Sequence, residues 1–174
     1  MNRTPAFHQR GVTMLEVLIA ILIISVGLLG TAGLQAVGLR ASVAANERTA
    51  ATLLAYDAAD RMRANMAGVA LGAYHNYTAA QNTSCLAVAG CTPQQLAQHD
   101  MWEWNNAVGL ALPSGQGIVC RDSSADDGTS NASLTSAACD GLGNQYVVKI
   151  WWYEDRSSSN PTGTLKRFVT AIQP

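Results

Sequence analysis

Apolar residues run along this chain in three successive rhythms. Over residues 17–39 they are almost unbroken, reading VLIAILIISVGLLGTAGLQAVGL without one charged side chain. From Leu39 to about Met66 they recur near the helical period, at Val43, Ala50, Leu53, Leu54, Ala58 and Met62. The residues between them are mainly good helix formers. Asp57 and Arg61 stand four apart in the favourable order. No proline falls between Pro5 and Pro93. One continuous helix over residues 13–66, ending before Gly68, is the expected element.

Residues 68–92 are rich in Gly, Ala, Asn and Thr and read as a loop. Thr92-Pro93-Gln94-Gln95 then opens a second helix. The threonine can cap, the proline suits the first turn, and Gln95 takes the capping-box position. Ala97, Met101, Trp104, Val108 and Ala111 follow at intervals of 4, 3, 4 and 3, so this helix reaches about Leu110. Trp102 falls off that stripe and is a second core anchor or an interface residue.

The last third is strand-like. Residues 118–121 make a short strand, 122–144 a polar loop, and 146–153 and 165–172 two β-prone runs. The segment 155–164 between those runs carries Asn-Pro and Gly, which suit a turn. The expected fold class is α+β, with a small antiparallel sheet of three or four strands packed on the long helix.

Charge sharpens the picture at the N-terminus. Arg3, His8 and Arg10 precede Gly11-Val12-Thr13-Met14-Leu15-Glu16, and Glu16 is the only charge within the apolar run. An unpaired carboxylate in a membrane span costs roughly 2.5–3.5 kcal/mol on insertion scales. No basic residue lies near it in the run, so its partner is expected on another molecule. The uncharged stretch would span about 35 Å as a helix, longer than a small soluble domain buries and longer than the core of a removable secretory signal. A retained span with its basic flank in the cytoplasm is the better reading. Gly27, Gly30, Gly33 and Gly38 suit close packing of membrane helices.

The 174 residues leave room for one modest domain beyond the span. Without Arg3 and Arg10 the chain holds nine basic against twelve acidic side chains. That balance argues against a phosphate-binding surface, and nucleic acid is not expected as a partner. Cys85, Cys91, Cys120 and Cys139 all follow the apolar run, and their spacing does not suit zinc. An even number in an exported region reads as two disulfides. Of the three pairings, Cys85–Cys91 with Cys120–Cys139 is favoured, because each closes a short polar loop.

Chemistry is otherwise sparse. No hydrolase, P-loop, dinucleotide or zinc-protease motif occurs, so neither enzyme nor cofactor is expected. Asp126-Asp127-Gly128 offers oxygen ligands beside a glycine but lacks the alternation of a calcium loop. It reads as an acidic turn. Asp100 and Glu103 are expected on the wet side of their helix, and Trp151 and Trp152 in the core. The patch from Asp60 to Asn65 reads as a solvated helix end, with a subunit contact as the alternative.

The string Arg10-Gly11-Val12-Thr13-Met14-Leu15-Glu16 resembles the type III signal of type IV prepilins and pseudopilins. That resemblance implies cleavage between Gly11 and Val12 by a leader peptidase that also methylates the new amine of Val12. It makes Glu16 the assembly carboxylate, neutralised by the amine of a neighbouring subunit. It divides the chain into a leader at 1–11, a long helix at 12–66 (membrane-spanning to about 39) and a periplasmic head at 67–174.

The wider layout is similar to that of minor pilins, in particular those of the type IV pilus modification kind. The features are Arg61 to Asn65, the stretch from Cys91 to Trp104, and the terminal hairpin. The resemblance implies a single-pass inner-membrane protein that enters the pilus. Its partners would be the leader peptidase, other minor pilins, the major pilin, the inner-membrane assembly platform and a tip adhesin. A type II secretion pseudopilin is the alternative; a DNA-uptake pilin and an anchored periplasmic enzyme have less support.

Overall fold

The computed structural model describes residues 11–75, 77–130, 135–154 and 163–174. The expected leader, up to Arg10, lies outside them, as does most of the expected turn at 155–164. The elements are α1 (Met14–Ala64), α2 (Met66–Ala70), a 3-10 turn (Thr83–Leu86), α3 (Pro93–Ala111), β1 (Gln116–Arg121), β2 (Tyr146–Glu154) and β3 (Thr164–Ile172). They fall into two compact units, one ending at Ser42 and one beginning at Val43, and α1 runs through both.

In the first unit every described residue is exposed. The helix there is long and apolar enough to cross a membrane. Soluble monomers rarely expose apolar surface on this scale, so lipid or other chains must cover it.

In the second unit the sheet has the order β1-β2-β3, antiparallel throughout. Val119 pairs with Val148, and Ile150 with Phe168. Residues 43–64 of α1 bury Ala51, Ala55, Ala58, Ala59 and Met62 in one cluster with Ala97, Met101, Trp104 and Val108 of α3 and Val148, Ile150 and Trp152 of β2. Small side chains on α1 leave room for the large ones facing them. The Trp104 indole N–H donates to the Leu54 carbonyl at 2.8 Å. Its ring lies so close to Gly117 that a Cβ there would stand 2.4 Å from it. The α3 capping box forms as expected, with Thr92 and Gln95 bonding reciprocally.

Three expectations change. The long helix stops at Ala64, because Asn65 leaves helical geometry at φ −124°, ψ 57° and uses its side chain to cap α2. The region 68–92 is accordingly not all loop: α2 runs to Ala70, and the 3-10 turn lies within the rest. Trp102 is half-buried and stacks on His99 at 5.9 Å between ring centroids, rather than anchoring the core.

The central strand is buried on both faces. Tyr146, Val148, Ile150 and Trp152 face the helices. Trp151 packs with Ile118, Cys120 and Ala137 in a second cluster. Ala137 and Cys139 therefore supply part of the cover for the sheet's outer face, and Trp151 and Trp152 both lie in the interior.

Candidate functional site

At the N-terminal end, Val12 is 70% exposed and precedes the helix. Thr13 starts it: its Oγ1 accepts the Glu16 amide at 3.3 Å. Thr13 and Glu16 thus have capping-box spacing, and the carboxylate lies in the first turn, where the helix dipole favours negative charge. Among the described residues Glu16 has no ion-pair partner. A helix terminus contributes only about 0.3–1 kcal/mol at an exposed site. That is less than the cost of an unpaired carboxylate in lipid, so the terminus alone does not make Glu16 stable there.

The patch from Asp60 to Asn65 is tied into the head rather than left as a solvated end. Arg61 bonds Asp57 at 3.1 Å and Glu103 at 2.8 Å, and lies 3.9 Å from Asp100. Arg63 pairs with Asp60 at 2.9 Å. Met62 is fully buried. Asn65 accepts from the Gly68 amide and donates to Tyr74 Oη at 3.1 Å and to the Pro93 carbonyl at 2.8 Å. Its side chain folds over Gly68, where a Cβ would stand 2.4 Å from the Asn65 amide nitrogen.

Asp100, expected on the wet side of α3, is buried and accepts from Tyr74 Oη at 2.5 Å. Burial pushes its carboxyl above the usual range, against the lowering effects of Tyr74 and Arg61. Burial likewise raises the Tyr74 phenol, reinforced by Asp100. Glu103 goes the other way, held low by its hydrogen bond from Arg61. Burial lowers Arg61, but its bonds to Glu103 and Asp57 outweigh that and leave its guanidinium raised. The arrangement is a joint between helices with its charges satisfied internally.

Two histidines clip the segment between α2 and α3. His75 Nδ1 accepts the Arg121 amide and His99 Nδ1 the Asn82 amide, each at 3.2 Å. Burial, then Arg121, lowers the His75 pKa. Cys85 is bonded to Cys91 and Cys120 to Cys139, and no cysteine is free.

The acidic turn is occupied by cations of the chain itself. Asp126 pairs with Arg167 at 2.6 Å, and Asp127 with Lys149 at 2.5 Å. Lys149 is fully buried, bonds the Ala137 carbonyl at 2.7 Å, and lies 2.5 Å from Asp122. Sequence reasoning missed this centre. The signal was available: a lone lysine within a run of eight β-prone residues marks a strand covered on both faces. Cys120, Asp122 and Cys139 stand within 4.8 Å of one another, a spacing that suits a metal, but the two sulfurs are bonded together and offer no thiolate.

Comparison with known proteins gave matches to two family models, each over part of the chain. A family model described as "Type IV pilin Tt1218" matches residues 33–102, and one described as "Prokaryotic N-terminal methylation motif" matches residues 7–32. Neither a curated protein nor a solved structure gave a match. The two family matches show a type IV pilin signature and the prepilin methylation motif. The motif implies processing by a prepilin peptidase and assembly with other pilins. With the apolar helix, it supports anchoring in a membrane and incorporation into a pilus.

Proposed function

We propose that this chain is a minor pilin of the type IV pilus, most like the type IV pilus modification protein PilV. Its role is structural: it helps prime or cap the fibre at the inner membrane. The leader stays in the cytoplasm until the peptidase cuts between Gly11 and Val12 and methylates the Val12 amine. The head faces the periplasm, which suits two disulfides. Other minor pilins, the major pilin, the assembly platform and a tip adhesin are its partners.

The observation that carries the reading is Glu16. It is a carboxylate in the first turn of α1, just before the uncharged and exposed stretch 17–39, without a counterion among the described residues. Cleavage would create a cation four residues upstream, and the Val12 amine of a neighbouring subunit would pair with Glu16. Since amine and acid are offset along one helix, that pairing also sets an axial stagger between subunits.

The intact mass of the exported protein tests the processing: loss of residues 1–11 with gain of one methyl group is expected, and an untrimmed chain overturns it. Glu16→Ala should leave trimming intact and reduce incorporation at least tenfold, since a factor of ten corresponds to only about 1.4 kcal/mol. Deletion should abolish twitching or surface fibres with secretion intact. The opposite result assigns the chain to a secretion pseudopilus.

A further inference from the structure

The outer face of the sheet holds a buried lysine–aspartate pair. Lys149, in the middle of β2, and Asp122, the residue after β1, meet with side chains 0% exposed and Nζ 2.5 Å from Oδ2. Asp122 Oδ2 is buried without a hydrogen-bond partner. Lysine and aspartate are therefore in contact without the alignment of an ordinary hydrogen bond. A second carboxylate, Asp127, touches the same nitrogen at 2.5 Å, and its side chain is 39% exposed. The Ala137 carbonyl fixes the amine from another side at 2.7 Å.

We propose that Lys149 and Asp122 become joined by an intramolecular amide bond, with Asp127 as the proton relay. The Lys149 ammonium gives one proton to Asp127 and becomes a nucleophile. Asp127 passes that proton to the Asp122 carboxylate, which becomes a neutral acid, and the Nζ lone pair attacks its Cγ, so that a C–N bond forms. One Cγ–O bond then breaks. The departing oxygen carries the relayed proton, takes a second from the nitrogen, and leaves as water. A cation and an anion are thereby converted into a neutral amide and one water, with Asp127 unchanged.

Three physical features favour the reaction. The partners are held together by the fold, so condensation costs little translational or rotational freedom. The pair is shut away from water, which removes the reagent for hydrolysis. The amide also relieves the cost of burying two ions, which their mutual attraction repays only in good geometry. Asp127 reaches solvent, as a relay that must lose and regain a proton requires. The bond would tie the end of β1 to the centre of β2 beside the Cys120–Cys139 disulfide, doubling the covalent closure of the loop between them.

The test is mass spectrometry of the exported protein, compared with the same processed chain. The expected mass is one water below that of the same chain with two disulfides. After reduction and denaturation, trypsin should fail to cut after Lys149, and a branched peptide should carry both Asp122 and Lys149. Lys149→Gln and Asp122→Ala should each restore the missing water. Asp127→Asn keeps both reacting groups and should leave most of the protein unlinked. An unmodified mass with normal cleavage after Lys149 overturns the proposal. So does a water loss confined to the Asp122 peptide, the signature of a cyclic imide. Complete linkage in Asp127→Asn overturns the relay.

Discussion

The two stretches of α1 divide the work of burial in opposite ways. Residues 14–42 carry the largest aliphatic side chains, Leu, Ile and Val, and bury none of them. Residues 43–64 bury four alanines and one methionine. Hydrophobicity along this helix therefore does not track burial within the chain; it tracks the identity of the partner. Lipid or neighbouring subunits accept bulky, flexible apolar surface. A sheet carrying Trp152, with α3 and its Trp104 on the same face, accepts a smooth helix at short range. What separates the two stretches is the size of the side chains each presents to its partner: large aliphatic ones in the first, mainly alanine in the second.

Substitutions that exchange the properties of the two regions break or sharpen this contrast. The largest effect is expected at Trp104, which fills the space beside the alanines. Trp104→Ala should destabilise the head by about 3–5 kcal/mol, read by chemical unfolding of the full-length protein in detergent. Ile23→Asp should leave that unfolding midpoint unchanged and instead oppose membrane insertion by roughly 2.5–3.5 kcal/mol, seen as loss from the membrane fraction. A lower unfolding midpoint for Ile23→Asp would refute the separation of roles.

Overpacking comes next. Ala58→Leu, on the fully buried face, should cost the head about 1–3 kcal/mol, although leucine favours helix as well as alanine nearly does. The smallest effect is electrostatic. Glu103 is held below its ordinary range, so its contribution is present above its unfolded pKa and lost as pH falls through the folded value. Asp100 is raised, so its contribution has the opposite sign: it is present at acid pH and lost as pH rises through the folded value. Glu103→Gln should flatten the loss of stability below about pH 5, and Asp100→Asn should steepen it. Equal slopes in all three proteins would remove Arg61 and its carboxylates from the head's pH response.

Legibility in the sequence followed the range of the interactions. The capping box at Thr92–Gln95 is local chemistry and was readable to the residue. The strand runs at 146–153 and 165–172 were readable from β-propensity and came within one residue of the observed elements. The end of α1 was not. Asn65 terminates it through contacts with Tyr74 and Pro93, nine and twenty-eight residues away, which no window around position 65 contains. Asp100 and Glu103 were indistinguishable as a pair on one helix, and only the neighbouring Tyr74 and Arg61 separate their environments. Lys149 itself stood out in its strand, but its partners were hidden for the same reason, since they lie in a polar segment that reads as solvated.

Asn65 has one more consequence, for how the protein ages. Its amide nitrogen donates to two oxygens, and Tyr74 Oη already gives its own proton to Asp100. Hydrolysis of the amide to aspartate would change the side chain's shape hardly at all. It would nonetheless replace the donor with an acceptor and set a second carboxylate near Asp100. Hydrolysis at that one side chain would keep the cap on the Gly68 amide but detach the first turn of α3 and the tyrosine from it together.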